Sequence, residues 1–363
     1  MLKQLLSKLI SFETVSDNLK ENKKSIFWIG NFLKKASLQV KYFQFSKYFS
    51  LVALTKKTKT PILWLAAHQD VVPASKKLFK PKIEKDKLFG RGAFDMKFAI
   101  ACYLRLVQEL KNELEKYNFG IMITSDEEIG GFFGTKKLIE KGYKGQVVFL
   151  PDGGKDWKFE KEAKGVLHLR VEAFGKTAHG SRPWEGEGAN EKLINFLHEF
   201  QKFFPKEPCN IKNHWHPTLN IGKIDGGKAT NQVSDFAQTF LDIRFPKNFG
   251  YKKILTNLHR SLKKFKKIKV KQIVFAKPYS IDPKNKFLKI FSQIAYSKFK
   301  IKTAFDVSHG SSDGRFFAEK NIPVILIKPK GGGHHSENEY VNLRDLEKYY
   351  IVLKEFVKRV SLA

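Results

Sequence analysis

Four short apolar runs, each followed by polar residues, constrain the fold of this 363-residue chain more than any other feature. Short runs without polar alternation are typical of strands buried on both faces, as in a parallel sheet covered by helices. Amphipathic segments between them, such as 98–117, have the periodicity of helices. This alternation predicts an α/β fold. The four runs are "PILWLAA" (61–67), "FGIMIT" (119–124), "QVVFL" (146–150) and "PVILIK" (323–328).

Side chains that can bind metal ions follow all four runs. In open α/β sheets, ligands bind at the carboxyl ends of the strands, so we expect these side chains to meet at one edge of the sheet. Histidine, aspartate and glutamate without cysteine thiolate suit zinc, cobalt or manganese in a hydrolytic site. The residues, in the order of the runs, are His68 and Asp70, then Glu127 and Glu128, then Asp152, and finally His334 and His335.

Two further features favour a site for two metal ions. Asp95 lies in "FGRGAFDMKFAIA", a glycine-bearing loop just before a predicted helix. Two ions about 3.5–4 Å apart need a bridging carboxylate and further acids to balance their charge. The adjacent acids in "TSDEEIGG" (124–131) could supply that charge, although a run of charge is more often a solvated surface.

The middle of the chain has a different pattern, with alternating strands and amphipathic helices in the order β-α-β-β-α-β. This is the order of a ferredoxin-like motif. We therefore predict a small α+β domain at 166–277, inserted into an α/β domain formed by 1–165 and 278–363. The predicted elements are strand 165–175, helix 189–204, strands 217–224 and 235–245, helix 251–265 and strand 267–275.

A series of motifs between residues 66 and 340 resembles the co-catalytic di-zinc metallopeptidase and deacylase family. That family includes succinyl-diaminopimelate desuccinylase, acetylornithine deacetylase, aminoacylase, carboxypeptidase G and several dipeptidases. The resemblance implies a zinc-exopeptidase-like α/β catalytic domain with a mixed, mostly parallel sheet, and an inserted ferredoxin-like lid and dimerisation domain. The motifs are "AAHQDVVP", "GRGAFDMK", "TSDEEIGG", "PDGG", "GKTAHGSRP", "NQVSDFAQTFLDIR", "SSDGRFF" and "GGGHHSENEY".

The resemblance also implies roles for the residues of the metal site. Two divalent ions, most simply zinc with cobalt or manganese as alternatives, would be bound. Asp70 would orient His68 by a hydrogen bond, and a His and an Asp two apart on a strand point to the same side. Glu127 would be the general base that takes a proton from a metal-bridging water and later passes it to the leaving amine. The implied ligands are His68 and Asp152 for the first metal, Glu128 and His335 for the second, and Asp95 for both.

Some alternatives stay open at this site. His334 competes with His335 as a ligand, and His335 is favoured because the family pattern places a glutamate four residues later, where this chain has Glu339. Asp126 is expected to lie outside the ligand set. "HWH" (214–216) has possible ligand spacing but no acidic residues nearby.

The predicted inserted domain supplies a second set of residues by resemblance. His179, in "GKTAHGSRP", resembles a family histidine that reaches the active site of a partner subunit and stabilises the tetrahedral oxyanion, which implies a homodimer. Asn231 and Arg244 match positions that hold the carboxylate of the substrate, for which a guanidinium is well suited. An arginine that ends a strand is also often a surface ion pair.

The motifs disagree about the substrate. "SSDGRFF" is close to the desuccinylase pattern, in which Ser311, Ser312 and Arg315 would contact carboxylates of the substrate. Asp152 instead matches dipeptidases and aminopeptidases, since deacylases tend to have glutamate there, and "HGSRPWEG" departs from the usual desuccinylase sequence. We predict a metal-dependent hydrolase of one amide bond in a small carboxylate-bearing substrate. Dipeptides and N-acyl amino acids are equally favoured, and N-succinyl-diaminopimelate is the best single candidate.

The net charge of +31 raises a second hypothesis, a protein that binds polyanions or nucleic acid. The lysines are spread over the whole chain, and we find no zinc finger, RNA-recognition signature or aromatic-basic platform. We therefore expect a lysine-rich surface and no specific nucleic-acid partner. A third hypothesis, an inactive relative that serves as a binding module, is disfavoured because Glu127 and every implied ligand are present.

The sequence favours a cytoplasmic protein with no membrane partner. Cys102 and Cys209 are the only cysteines, too few for a disulfide framework and typical of a reducing compartment. The amphipathic N-terminus, "MLKQLLSKLISFETVS", lacks the long apolar core of a signal peptide. No segment reaches the roughly 20 apolar residues of a membrane span.

Overall fold

The computed structural model describes residues 1–206, 210 and 214–362, so Cys209 lies outside the described residues. The chain divides into two compact units. The first comprises Met1–Glu162, Ser280–Ser308 and Ser312–Ala363, and the second comprises Ala163–Tyr279 and His309–Ser311.

The helices of the described residues are α1 (Leu2–Ile10), α2 (Leu19–Lys35), α3 (Lys97–Glu109), α4 (Thr135–Glu140), α5 (Ala189–Gln201), α6 (Tyr251–Leu262), α7 (Lys286–Phe299), α8 (Gly314–Ala318) and α9 (Leu343–Ser361). The strands are β1 (Gln39–Phe45), β2 (Tyr48–Leu54), β3 (Leu63–His68), β4 (Lys82–Glu84), β5 (Lys87–Phe89), β6 (Phe119–Thr124), β7 (Val147–Phe149), β8 (Lys158–Ala163), β9 (Gly165–Phe174), β10 (Thr218–Gly226), β11 (Phe236–Phe245), β12 (Ile268–Ala276), β13 (Tyr279–Ser280), β14 (Ala304–Ser308), β15 (Val324–Ile325), β16 (Gly331–Gly332) and β17 (Tyr340–Asn342).

The central sheet of the first unit has the strand order β1-β2-β6-β3-β7-β15. Strands β6, β3, β7 and β15 run parallel, and β1 and β2 add an antiparallel edge. The four parallel strands are the four apolar runs of the sequence. Strands β3 and β6 are buried along their whole length, which is why neither run alternates with polar residues. The predicted α/β fold with a mixed, mostly parallel sheet is confirmed.

Helices cover this sheet, and one of them is shorter than its sequence pattern predicts. Helix α3 ends at Glu109, whereas the periodicity predicts a helix as far as residue 117. Beyond the turn that follows, the N–H of Asn118 donates to the carbonyl of Ser361 at 2.6 Å, and Tyr117 forms a β-bridge with Leu362. These contacts hold the chain where it enters β6.

The second unit contains β9, α5, β10, β11, α6 and β12, which is the predicted order of elements. Its antiparallel sheet has the strand order β10-β11-β9-β12. Alternate residues of β9 are buried, and Leu169 and Val171 share one apolar core with Phe196 and Phe200 of α5. A role as a lid and dimerisation domain stays a prediction.

A small sheet, β16-β17-β5-β4, joins the segment after residue 330 to the segment before residue 90. In it, Tyr340 pairs with Phe89 across β17 and β5. This pairing brings Glu339 next to the loop that carries Asp95. No helix among the residues that the structure describes is both long and apolar enough to cross a membrane.

Candidate metal centre

The predicted ligands of the first metal meet in the first unit. The imidazole of His68, the last residue of β3, is 1% exposed. Its Nε2 lies 3.6 Å from Asp95 Oδ1 and 3.5 Å from Asp152 Oδ1. This group of one nitrogen and two carboxylate oxygens is one of two clusters in the described residues that could hold a metal ion.

The second cluster contains Asp95 with the two adjacent histidines. Asp95 Oδ2 lies 2.5 Å from His334 Nε2 and 3.2 Å from His335 Nε2. His335 Nε2 also lies 3.3 Å from Glu128 Oε2. His335 therefore contacts both Asp95 and Glu128, and His334 contacts Asp95; the choice of His335 as the ligand stays a prediction. The two oxygens of Asp95 face different clusters, which is the arrangement a bridging carboxylate needs.

The residues present fit a divalent cation. In the described residues, His68 Nε2 and Glu128 Oε1 are buried polar atoms without a hydrogen-bond partner. Such an atom costs about 1–3 kcal/mol unless something satisfies it, and a metal ion would satisfy both. Burial alone would lower the pKa of His68, but Asp152 and the other carboxylates raise it well above its ordinary value. The cluster therefore attracts positive charge, and its nitrogen and oxygen donors suit zinc, cobalt or manganese.

Asp70 contacts His68 mainly through its backbone, and its role in orienting that histidine toward a metal ion stays a prediction. His68 Nδ1 lies 3.0 Å from the backbone carbonyl oxygen of Asp70, and the carboxylate Oδ1 is farther away at 3.5 Å. The carboxylate instead accepts hydrogen bonds from the N–H of Glu127 at 3.3 Å, the N–H of Glu128 at 3.1 Å and the hydroxyl of Ser16 at 3.0 Å. Asp70 thus holds both the histidine, through its backbone, and the acidic turn, through its side chain.

The acids of "TSDEEIGG" are part of the site rather than a solvated surface. Asp126 is buried, and its Oδ2 accepts hydrogen bonds from the N–H groups of Phe133 at 2.7 Å and Gly134 at 3.0 Å. It stabilises the loop and belongs to neither of the two clusters in the described residues. Burial, with the negative charge of Asp152 next in importance, raises the pKa of Glu127 well above its ordinary value.

Glu339 positions the loop that carries Asp95. Its fully buried carboxylate accepts a hydrogen bond from Arg91 Nη1 at 2.6 Å and from three backbone N–H groups. Those groups belong to Gly92 at 3.1 Å, Phe94 at 2.9 Å and Asp95 at 3.0 Å. The sequence pattern singled out Glu339 only as a marker for His335, and the structure gives it a function of its own.

Lys328 is a site residue that the sequence analysis missed. Its Nζ lies 3.2 Å from Asp95 Oδ1, 3.8 Å from Asp152 Oδ1 and 5.2 Å from the centre of the Phe94 ring. Burial alone would lower the pKa of Lys328, but Asp95 and Asp152 outweigh it and raise the pKa. In the sequence, Lys328 is the single lysine that ends the apolar run "PVILIK". Predicted ligands follow the other runs at this position, which is the feature that could have identified it.

The residues of "SSDGRFF" are divided between the units: Ser311 belongs to the second, and Ser312 and Arg315 to the first. The Arg315 guanidinium donates to the carbonyl of Gly130 at 2.6 Å and to the carbonyl of Ser312 at 3.1 Å. These contacts tie it to the end of the acidic turn. Contact with the substrate remains a prediction for all three residues.

The other predicted residues lie in the second unit. His179 is exposed, with its Nδ1 2.8 Å from Ser181 Oγ, and the N–H of Gly180 donates to the carbonyl of Asn231 at 2.7 Å. The guanidinium of Arg244 makes a two-pronged ion pair with Asp242, at 2.7 and 3.1 Å. Arg244 is thus engaged within its own strand, and the roles of His179, Asn231 and Arg244 toward the substrate stay predictions.

The histidines of "HWH" form no metal cluster in the described part of the chain. The rings of His214 and His216 are 6.0 Å apart, and Nδ1 of the buried His216 lies 2.9 Å from the carbonyl oxygen of Pro217.

Comparisons with known proteins show which family and fold the chain resembles. The model of peptidase family M20/M25/M40 matches residues 64–359. Succinyl-diaminopimelate desuccinylase from Rickettsia akari (strain Hartford) is 26% identical, in an alignment that covers 98% of this chain and 98% of that protein.

Two solved structures share the fold. A tripeptidase from Staphylococcus aureus subsp. aureus Mu50 has a TM-score of 0.82 and 22% identity, with 99% of this chain and 97% of that chain covered. An M20 family metallo-carboxypeptidase from Sulfolobus solfataricus has a TM-score of 0.81 and 18% identity, with 99% and 98% covered.

Proposed function

The chain belongs to peptidase family M20/M25/M40, a family of metal-dependent hydrolases, and on that premise we propose that it cleaves one amide bond in a small substrate that bears a free carboxylate. One observation carries the proposal: the buried carboxylate of Asp95 joins two clusters of ligand atoms, through Oδ1 to His68 and through Oδ2 to His335. A site for a single ion, or an acidic surface in contact with water, would not require one carboxylate whose two oxygens contact different clusters.

We propose that two divalent ions bind, most simply zinc, with cobalt or manganese as alternatives. When bound, they would supply the positive charge that acidifies water and polarises the carbonyl of the substrate. The residues that would hold them are His68 and Asp152 at the first position, Glu128 and His335 at the second, and Asp95 at both.

Glu127 is the residue that we propose moves the proton. Two observations support this role: the backbone N–H of Glu127 donates to Asp70 Oδ1 at 3.3 Å, and the charges of Asp152 and His68 both act on the pKa of its carboxylate. It would take a proton from the attacking water as the oxygen–carbon bond forms. It would then give that proton to the nitrogen as the carbon–nitrogen bond breaks, so that the products are an amine and a carboxylate.

The substrate class is the finer part of the proposal. The likeness to a succinyl-diaminopimelate desuccinylase and "SSDGRFF" support an N-acyl amino acid, whereas Asp152 and the likeness to a tripeptidase support a short peptide. The proposal includes a cytoplasmic homodimer in which His179 of one subunit serves the site of the other and stabilises the oxyanion. The residues proposed to hold the carboxylates of the substrate are Asn231, Arg244, Ser311, Ser312 and Arg315.

A substrate panel tests the proposal. Purified protein, chelator-stripped and then zinc-loaded, is incubated with dipeptides, N-acetyl amino acids and N-succinyl-diaminopimelate, and the free amine released is measured. Zinc-restored cleavage of dipeptides alone would identify a peptidase, and cleavage of the succinyl compound alone would identify a desuccinylase. Hydrolysis that is unaffected by the chelator, or absent throughout the panel, would contradict the proposal.

A further inference from the structure

We propose that Lys328 is a built-in competitor of the first metal ion, so that the second position fills first and the first position holds its ion more weakly. This inference rests on the proposed function, because it assumes that both clusters bind metal.

The position of the ammonium group carries the argument. Lys328 Nζ lies 3.2 Å from Asp95 Oδ1 and 3.8 Å from Asp152 Oδ1. Those two oxygens are also the carboxylate ligands that surround His68 Nε2, at 3.6 and 3.5 Å. The lysine and the first metal ion therefore draw on the same two oxygens.

The charge balance of the two positions differs as a result. The first position has two carboxylates, one of them shared with the second position, and the ammonium of Lys328 offsets one of these negative charges. Among the described residues, Glu128 at the second position forms its ion pair with His335. That histidine would be a neutral ligand once a metal ion binds. A positive charge a few ångströms from a divalent ion in a buried site opposes its binding strongly.

The fold keeps Lys328 in place. The carbonyl of Lys328 accepts a hydrogen bond from the N–H of Trp157 at 3.1 Å, and the carbonyl of Ile327 accepts one from the hydroxyl of Tyr349 at 2.7 Å. Lys328 is 5% exposed, and its ammonium lies over the face of Phe94. A buried ammonium that moved away from Asp95 and Asp152 would lose its counter-charges, which is costly. The lysine is therefore a permanent neighbour of the first position.

Metal titration of matched variants tests this inference. Lys328→Met and Lys328→Gln remove the charge, while Lys330→Met removes an exposed lysine two residues along the same segment. Zinc binding to each metal-free protein is measured by calorimetry and by equilibrium dialysis. We expect two unequal affinities in the wild type and in Lys330→Met. In both Lys328 variants, the weaker affinity should rise by roughly tenfold or more.

The Tm of each protein, measured with and without zinc, is a second readout that also detects any loss of stability in the variants. Removing Lys328 leaves buried carboxylates without their counter-charge, so the metal-free variants should have a lower Tm than the wild type. Zinc should raise the Tm of the Lys328 variants more than it raises that of the wild type, because the ion takes over the lost charge. If the wild type and every variant show the same pair of zinc affinities and the same zinc-induced Tm shift, the inference is wrong and the proposed function is unaffected. Absence of zinc binding in every protein would overturn both.

Discussion

The carboxylate of Glu339 accepts a hydrogen bond from the backbone N–H of Asp95, with 3.0 Å between Oε1 and N. Through this bond, a residue that belongs to neither cluster of ligand atoms holds the backbone of Asp95, whose carboxylate the two clusters share. The same carboxylate pairs with the buried guanidinium of Arg91, so the loop before α3 is organised around one fully buried negative charge.

Glu339→Gln should therefore damage both the fold and the metal centre. The amide keeps the shape but loses the charge that pairs with Arg91, and breaking a buried pair costs about 3–5 kcal/mol. We expect the free energy of unfolding to fall by about that amount, and bound metal to be lost with it. Glu337→Gln, an exposed glutamate two residues earlier that pairs with Lys77, is the control and should change neither quantity appreciably. Full metal content in Glu339→Gln would contradict the positioning role.

The contact between α3 and α9 should make the first unit sensitive to acid. Partial burial would raise the pKa of Glu109, but hydrogen bonds from Lys354 and Arg105 outweigh it and lower the pKa to about 2. A group whose folded pKa is lowered stabilises the protein above its unfolded pKa and loses that contribution as the pH falls through the folded value. Glu109→Gln should reduce the free energy of unfolding at pH 7 by about 1 kcal/mol, given its partial exposure to solvent.

The pH dependence separates this effect from a general loss of packing. Urea unfolding at several pH values should show the wild type and Glu109→Gln converging between about pH 4.5 and pH 2. Glu115→Gln, on an exposed glutamate of the following turn, is the control and should track the wild type. A difference between wild type and Glu109→Gln that persists unchanged at pH 2 would show that the ion pairs are not its cause.

His179→Ala should abolish turnover without loss of metal, because His179 is proposed to stabilise the oxyanion of the substrate and not to bind a metal ion. If the histidine acts on the partner subunit, mixing His179→Ala with Glu127→Gln creates hybrid dimers with one intact site. Random exchange should then restore about a quarter of wild-type activity. Subunit exchange is followed independently with tagged chains. Demonstrated exchange without recovered activity would rule out a histidine acting across subunits.

Much of the fold was predictable because strands that are buried on both faces of a sheet consist mainly of apolar residues. Strands β3, β6 and β7 stand in the sequence as uninterrupted apolar runs. The end of α3 was not predictable, because residues 110–117 keep a helical pattern although the chain there pairs with the end of α9, through Tyr117 and Leu362. Long-range pairing of this kind has no local signal.

The residues of the candidate metal centre were also predictable only in part. His68, Glu128, Asp152 and His335 could be expected together because parallel strands place their carboxyl ends side by side. Lys328 could not, since a lysine at the end of an apolar run has the same pattern as a strand reaching solvent. Its burial against Asp95 depends on the tertiary contacts of Trp157 and Tyr349, which the sequence does not reveal.

The division of roles between Glu127 and Glu128 tests the central claim most directly. Glu127→Gln and Glu128→Gln are compared for bound zinc, by elemental analysis, and for turnover on the best substrate of the panel. We expect Glu127→Gln to keep its metal while kcat falls by about 10²–10⁴-fold, as for loss of a general base. Glu128→Gln should lose one of two ions. Equal metal loss in both variants, or normal turnover in Glu127→Gln, would contradict a metal centre served by Glu127 as the base.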